Sequence, residues 1–582
     1  MKCQPGGRRL ARQSTRPSDV SGAGGRLTDM RHVTSAYPVD YREGRSTGIE
    51  TAGRLRPAAC RWLLFVFLLG ISAFRFWYSS THGLFTDEAY YWLWARHPAP
   101  GYYDQGPGVA LVIRFGLLFG SSAGAVRVPA VLDAVLSSLA AYLLASRIFR
   151  SEQAGLFAGV FLNVVPLLFV GGILMTHDSP QMASWAFGVY CAARAVGIGD
   201  AKRAQSNSLR FWTVPAPAWW ILAGILGGFS VDCKYTAILF FPCLLLFLLV
   251  SPQARPALRT PWPYLSAICG AIMVIPAVYW NATHEWASAR HILNLGGAHN
   301  PNLLDTHAVG DYIGGQLAVA LLFLFTMGWA SVKAWSKGRR DRDPGLLLAA
   351  CFSWPVWALF LLLSFHDRVE ANWPVPAYFT AVVAAPWLAA CAIYSARNGW
   401  KGAQILFHVI SILLAGAALT VILFSNVLRA FPHGSQLADR YRKGDRTNEM
   451  FGWNQLAEGL SQAGWKPGGR WLPAAIRYQD AAELSFVLPG QPTTYDLPVK
   501  RRRCQYDFWP AMPYGSDALV AVPEPNGTDV ELQLAALFNR VAAGPRIPLW
   551  RRPLYRLPIG RYIIFRCEGY HGGREGLMGN QW

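Results

Sequence analysis

Along most of the chain the hydrophobic positions come in blocks rather than in alternation. Eleven apolar stretches stand out: 61–79, 127–147, 154–174, 181–198, 217–232, 236–251, 262–280, 312–332, 345–364, 374–394 and 403–425. A helix of about 20 apolar residues covers a hydrocarbon core of roughly 30 Å, so the pattern predicts about eleven membrane-spanning helices. The shortest, 217–232, is interrupted by Gly224, Gly227 and Gly228. The stretch 107–120 is apolar too, but it is short and carries Arg114. It is expected along the interface or half-embedded.

The polar positions between the blocks set an orientation. With the N-terminus inside, the cytoplasmic segments 1–61, 147–153, 194–210, 251–260, 333–343 and 397–401 hold 27 Lys and Arg. The opposite segments, 80–127, 175–180, 233–235, 281–311 and 365–373, hold 6. Without the long first segment the ratio is still 15 to 6, the positive-inside bias of a multi-pass protein. An odd number of spans then places the chain beyond about Asn426 outside the cytoplasm.

Three regions follow. Residues 1–58 are rich in Arg, Gly and Ser without apolar period, and read as a disordered basic cytoplasmic arm or an overcalled start. They do not read as a cleavable signal, because the apolar run after them is too long and lacks a small-residue cleavage site. Residues 59–426 form the multi-span membrane domain. Residues 427–582 shift composition toward Pro, Gly, Arg and Tyr with short apolar runs, as in a soluble extracytoplasmic α/β domain. There Ser485–Leu488, Ala518–Val522 and Arg561–Cys567 are strand-like, and Trp453–Gln462 and Val530–Val541 helix-like.

Composition narrows the function classes. Of 582 residues, 52% are hydrophobic and 15% charged. Ordinary soluble proteins are about 25% charged. The net charge of +20 would suit nucleic acid only if gathered on a soluble face, and the basic residues instead sit between apolar runs. Ten cysteines show no CxxC pair and no zinc spacing. Cys504 and Cys567 in the tail fit either a disulfide or two buried thiols. No Gly-rich phosphate loop and no strong metal motif of a nucleotide-sugar enzyme is present.

With sidedness set, the unusual polar residues share one face: Phe85–Trp92 with Asp87 and Glu88, Gly101–Pro107 with Asp104, Thr176-His177-Asp178, Asp232–Thr236 with Lys234 and Tyr235, and His366–Pro374 with Arg368, Asn372 and Trp373. Ionisable groups at the ends of membrane helices are costly unless paired or wet, so their clustering suggests a site. Carboxylates can accept a proton and cations can stabilise a departing phosphate. Each piece alone has a plainer reading. Asp87-Glu88 suits a helix start, Lys234 a snorkelling lysine, and Arg368 with Glu370 a surface ion pair. His284, His291, His299 and His307 suit a polar loop, and Lys500–Arg503 a solvated run or a contact with anionic lipid heads.

The motifs Phe85–Trp92, Gly101–Pro107, Thr176–Pro180, Lys234-Tyr235-Thr236 and Arg368–Pro374 together resemble the polyprenyl-phosphate-sugar-dependent glycosyltransferases of the C-type membrane superfamily (GT-C, family 39-like). Within it they are similar to bacterial relatives of protein O-mannosyltransferases and of the lipid A aminoarabinose transferase. The resemblance covers about 61–426 and extends weakly to Tyr478–Leu484 and Gln505–Trp509.

It implies an inverting transfer of a lipid-carried sugar to an acceptor hydroxyl of a lipid or surface glycan, at the outer face of the inner membrane. It implies Asp87, with its neighbour Glu88, at the reaction centre; Asp104 as a second acidic position; and Asp178 on sugar hydroxyls or supporting a metal. Lys234 and Arg368 are expected on the donor phosphate, and Tyr235, Asn372 and Trp373 along the pocket. A divalent cation is compatible with this chemistry but not required. Relatives often carry His or Lys before a Pro where this chain has Gln105-Gly106-Pro107, which bears on any role needing a cation there. The rival readings are a protein hydroxyl as acceptor, a flippase or transporter of lipid-linked sugars, and a membrane-anchored binding protein. The transporter predicts related halves and broken helices at mid-membrane, and one or two spans would serve an anchor.

Overall fold

The computed structural model describes residues 55–200, 216–297, 305–396, 398–424, 444–499, 501–525, 529–551 and 558–572, with 436, 440 and 442 singly between them. The basic arm expected over 1–58 falls outside the described residues as far as position 54, as do His299 and Lys500.

Each of the eleven apolar stretches is helical, yet among the described residues only seven helices are long and apolar enough to cross a membrane. These are α1 (Pro57–Thr81), α4 (Ala123–Phe149), α8 (Ala216–Cys233), α10 (Trp262–Thr283), the run Pro344–Ser364, α16 (Val375–Ser395) and α17 (Asn398–Phe424). The run Pro344–Ser364 joins α14 (Pro344–Cys351) to α15 (Trp354–Ser364). The pair α12 (Thr306–Ala320) and α13 (Phe323–Asp341), bent by 101°, forms either a broken eighth span or a re-entrant loop. The bend falls at Leu321, whose φ of +52° takes the chain out of the helix.

The other differences from eleven have local causes. Over 154–174, Pro166 holds Val165 in an extended backbone and splits the stretch into α5 (Glu152–Phe161) and α6 (Pro166–Gly171). α7 (Asp178–Ala195) carries more polar side chains than a lipid-facing span. Residues 236–251 yield only α9 (Phe240–Val250) after a 3-10 turn. The glycines of 217–232 serve packing. A Cβ on Gly224 would collide with the Ser266 carbonyl, and one on Gly228 with the Gly270 carbonyl. α8 and α10 therefore meet backbone to backbone, as small residues allow between membrane helices. The stretch 107–120 forms α3 (Gly108–Gly116) with a further 3-10 turn, short as expected.

α4, α7 and α16 are central to the core, where Trp185, Phe240, Phe352 and Tyr378 are buried. α1, α10 and α17 keep Trp62, Phe65, Ile272, Ile275 and Leu413 exposed, an apolar surface that lipid satisfies. Between α1 and α3 lies α2 (Thr86–Arg96), almost wholly buried. The loop after α10 forms α11 (Ala287–Leu295), which carries His291.

Beyond the last span, α18 (Trp453–Gln462), α19 (Tyr478–Val487) and α20 (Asp529–Ala535) accompany a five-stranded sheet of order β2-β1-β3-β5-β4. Its strands are β1 (Trp471–Ala475), β2 (Tyr495–Asp496), β3 (Asp517–Glu524), β4 (Phe538–Leu549) and β5 (Gly560–Tyr570). β1 pairs in parallel with β2 and β3, whereas β5 runs antiparallel to β3 and β4. Ser485–Leu488 is not a strand but the end of α19, because a four-residue apolar run following Ala481-Ala482-Glu483-Leu484 completes a helix. Val530–Val541 likewise divides between α20 and the start of β4. Cys504 and Cys567 are free and buried. α19 packs directly on α2, so the tail rests on the first polar loop.

Candidate functional site

α2 positions the first carboxylates. Its start is fixed by Glu88, which accepts from the Phe85 amide at 2.8 Å and closes the first turn. The same carboxylate accepts from the Met175 amide at 2.6 Å and from Arg127 Nε at 2.9 Å and Nη2 at 2.5 Å. Arg127 also donates to the carbonyls of Ser79, His82 and Gly83. Both side chains of this pair are completely buried. Glu88 is therefore a strut, with its oxygens committed to holding α1, α2, α4 and the 175 loop together.

Asp87, one residue earlier, is half-buried, and among the described residues no group donates a hydrogen bond to its carboxylate. Burial, reinforced by the negative charges of Glu449 and Asp104 and opposed by Arg446 and Arg502, pushes its pKa up to about 6. It is an ionised, uncommitted base at neutral pH.

Asp104 has the opposite setting. Its carboxylate accepts from Tyr90 Oη at 2.9 Å and from Arg502 Nη1 at 2.9 Å, and His291 Nε2 lies 3.4 Å away. Burial alone would raise its pKa, but Arg502 and His291 hold it well below the usual carboxylate range.

A second cluster lies across Tyr91. Tyr91 Oη and His177 Nδ1 are hydrogen-bonded at 2.8 Å, and His177 Nε2 is 3.6 Å from Asp178. Asp178 accepts from Lys234 Nζ at 2.6 Å and from Asn372 Nδ2 at 2.7 Å. The Tyr91 phenol, its pKa raised by burial, also feels Asp87, Asp104 and Asp178, which places the two clusters around one side chain. Gln105 Oε1 accepts from the Tyr235 amide at 3.0 Å, and the Tyr235 hydroxyl accepts from Ser288. The close approach of these loops needs Gly106: a Cβ there would sit 2.5 Å from the Asp232 carbonyl. The local sequence Gln105-Gly106-Pro107 thus provides a backbone contact instead of a cation. Beside Asp178 and Asn372 opens a cavity of about 190 Å³ walled by Leu162, Leu167, Leu168, Leu174 and Met182.

The structure brings together Asp87, Asp104, Asp178, Lys234, Tyr235 and Asn372. It does not bring in three others. Glu88 is locked to Arg127. Arg368 is 71% exposed, with its guanidinium 3.3 Å from Glu370, the surface ion pair of the plainer reading. Trp373 packs edge-on to Phe360 against the helical core. Among the described residues no group of three or more His, Cys, Asp or Glu is placed to hold a metal ion. The nearest pair, Asp104 with His291, is already engaged by Arg502 and Tyr90.

Several functional side chains come from the tail. Arg502 donates to Asp104 and, through Nη2, to Tyr478 Oη at 2.8 Å, and the Tyr478 ring packs against Tyr90, tilted by 52° with ring centres 4.5 Å apart. The Gln505 amide donates to Tyr90 Oη at 2.7 Å, and Gln505 Oε1 accepts from the Tyr103 amide at 2.8 Å. Within the described part of the run at 500–503, Arg501 is 9% exposed and doubly bonded to Asp507, while Arg502 is exposed yet paired with Asp104. The signal that points to these residues is the pair of weak tail motifs, Tyr478–Leu484 and Gln505–Trp509, since both lie on the 85–107 loop.

The chain is similar to known proteins over parts of its length. A family model described as dolichyl-phosphate-mannose-protein mannosyltransferase matches residues 104–280, which include Asp104, Asp178, Lys234 and Tyr235. The chain is 26% identical over 318 residues to lipid A galacturonosyltransferase RgtD of Rhizobium johnstonii. That match spans 52% of this chain and 60% of the relative's length. The crystal structure of ArnT from Cupriavidus metallidurans bound to undecaprenyl phosphate superposes with a TM-score of 0.55 at 15% identity, covering 90% of this chain and all of that one. Its apo form gives 0.52 at 16% identity with the same coverage. The chain is thus similar over part of its length to this mannosyltransferase family model and to a galacturonosyltransferase, and shares its fold with ArnT.

Proposed function

We propose that the protein is an inverting glycosyltransferase that moves a sugar from a polyprenyl-phosphate carrier to an acceptor hydroxyl of a lipid or surface glycan. The reaction takes place at the outer face of a bacterial inner membrane, with the N-terminus cytoplasmic and the C-terminal domain on the reaction side. The observation that carries this reading is Asp87: a carboxylate free of hydrogen bonds among the described residues and held near pKa 6, set among side chains that are otherwise paired.

In this reading Asp87 takes the acceptor proton as the hydroxyl oxygen attacks C1 of the sugar and the C1–O bond to the carrier phosphate breaks. Lys234 commits one N–H to Asp178 and keeps two for the phosphate, whose charge grows as it departs. Asp178 and Asn372 face the sugar. The apolar cavity beside them suits the first part of an isoprenoid chain, whose removal from water favours binding. Asp104, held ionised by Arg502, anchors the loop through Tyr90. Arg368, expected on the phosphate from the sequence, stays paired with Glu370 at the surface, which leaves Lys234 as the phosphate contact. Trp373 shapes the pocket from behind. The chemistry asks only for charge stabilisation by side chains, so no step runs through a metal ion. The name of the galacturonosyltransferase relative and the undecaprenyl phosphate in the ArnT crystal support a lipid acceptor and a polyprenyl-linked donor.

The test is reconstitution in proteoliposomes with radiolabelled undecaprenyl-phosphate sugars and lipid acceptors. Asp87→Asn is expected to lose transfer by about 10²–10⁴-fold, the usual worth of a general base. Its folding should be intact, because no hydrogen bond is broken. Full transfer by the variant removes the assignment.

A further inference from the structure

We propose that the membrane face opposite the reaction site binds the head group of an anionic phospholipid, in the cavity between the end of α4, the start of α5 and the end of α7. The inference uses the membrane orientation of the proposed function and none of its chemistry.

α4 begins beside the first polar loop, where Arg127 meets Glu88, and runs 27 residues to Phe149. At a helical rise of 1.5 Å per residue that is about 40 Å, so its far end emerges on the other side of a hydrocarbon core of roughly 30 Å. There a cavity of about 540 Å³ opens among Tyr142, Arg147, Arg150, Glu152, Tyr190 and Asp200. Its two carboxylates are already engaged: Glu152 accepts from the Tyr142 hydroxyl, and Asp200 from Arg147 Nη1 at 2.9 Å. Arg147 spends the same Nη1 on the Ile198 carbonyl, and among the described residues its Nε and Nη2 make no hydrogen bond.

Further charges stand around the cavity. Arg61 Nε lies 3.9 Å from Glu152, Arg194 donates to Tyr190 Oη at 3.2 Å, and Asp343 feels both Lys337 and Arg150. Among the described residues the cations Arg61, Arg147, Arg150, Arg194 and Lys337 therefore outnumber the carboxylates Glu152, Asp200 and Asp343, and the surplus is positive. Arg150 ends α4 with a φ of +50°, a conformation that helix ends usually leave to glycine or asparagine. A long basic side chain is kept there against that backbone preference. Guanidinium N–H groups match phosphate oxygens, and basic pockets between membrane helices on the cytoplasmic side take anionic head groups.

A stripe of lipid-facing leucines leads from the cavity along α4. Leu143 lines the cavity, and Leu139, Leu136 and Leu132 are 37%, 42% and 44% exposed. Recurring every third or fourth position, they share one helix face. A phosphate seated at Arg147 thus has its acyl chain laid along a surface that hydrocarbon satisfies. This continuity selects a lipid over a soluble phosphate ester.

The experiment titrates the purified full chain in nonionic detergent with phosphatidylglycerol, phosphatidylcholine and glycerol 3-phosphate. Phosphatidylglycerol is expected to bind at least about tenfold more tightly than either other probe, the worth of one charge-assisted contact. Arg147→Gln should weaken it about fivefold or more, as one basic group near an anionic lipid is lost. Asp200→Asn releases Arg147 from its carboxylate and should tighten binding about threefold or more, a gain that disrupted folding does not produce. Arg340→Gln, on the exposed end of α13, should leave it within about twofold. Phosphatidylcholine binding as tightly as phosphatidylglycerol overturns the anion preference, and glycerol 3-phosphate doing so overturns the lipid. Binding unchanged or weakened in Asp200→Asn, or weakened as much by Arg340→Gln as by Arg147→Gln, overturns the site. None of these outcomes touches the transferase reading, which stands or falls on transfer by Asp87→Asn.

Discussion

The buried pair Glu88–Arg127 separates a structural from a chemical role for the second acid of the first loop. Glu88→Ala leaves a fully buried guanidinium without its counter-ion, a loss of about 3–5 kcal/mol when one partner of such a pair is removed. It also orphans the amides of Phe85 and Met175, each worth about 1–3 kcal/mol if no water replaces the acceptor. These terms overlap, so the expected destabilisation is at least about 3 kcal/mol. The pair Glu88→Leu with Arg127→Met replaces both charges by apolar side chains of similar size, and should recover much of that loss. The assay is thermal unfolding in detergent of wild type, both single variants and the double variant. The cycle should give a coupling at the upper end of the roughly 0.5–3 kcal/mol seen for contacting residues. Transfer per folded molecule, measured below the unfolding range, should follow the integrity of α2. A Glu88→Ala protein that unfolds with wild-type midpoint yet has no transfer would refute the strut and return Glu88 to the chemistry.

Lys234→Ala should weaken donor use by about 10–150-fold, the equivalent of one charge-assisted hydrogen bond of roughly 1.5–3 kcal/mol, read from the apparent donor affinity. The kcat/KM profile should rise through about pH 6 as Asp87 loses its proton, and Glu449→Gln, which removes a neighbouring negative charge, should move that limb to lower pH. Glu483, on α19, is buried with neither oxygen hydrogen-bonded among the described residues, and burial followed by the charge of Glu88 raises its pKa well above 4.5. The folded protein therefore holds this proton at pH values where the unfolded chain releases it. Its share of stability is complete below about pH 4.5 and is lost as pH rises through the elevated folded value. Glu483→Gln should flatten that decline in unfolding midpoints recorded from pH 5 to 9.

The membrane part was legible because its signals are long and one-dimensional. Blocks of about 20 apolar residues and the Lys/Arg bias need no knowledge of packing. All eleven blocks are helices, and the four that fall outside the seven clear spans are those where a local feature intervenes: Pro166, the polar face of α7, the 3-10 turn before α9 and the bend at Leu321. That Asp104, Asp178, Lys234, Tyr235 and Asn372 lie near one another was expected for a related reason. Each lies at or between helix ends, where an ionisable or amide side chain has few neutral explanations.

Failures of legibility concern partners distant in sequence. Asp87 and Glu88 are adjacent acids at a helix start, and nothing in their order says which one meets Arg127 across the bundle and which one stays free. Arg368 and Arg502 show the same limit with opposite outcomes. The first sits in the membrane domain's own motif and points to Glu370; the second sits in a basic run that reads as solvated, and reaches 398 residues back to hold Asp104. A charged run is solvated by default because burial of several like charges is expensive, and here the cost is met by Asp104, Asp496 and Asp507 waiting on the other side. The tail therefore packs on the first polar loop and gives Asp104 its guanidinium partner. Its contacts there come from Tyr478, bonded to Arg502, and Gln505, whose amide donates to Tyr90, in front of a sheet that has no signature of its own.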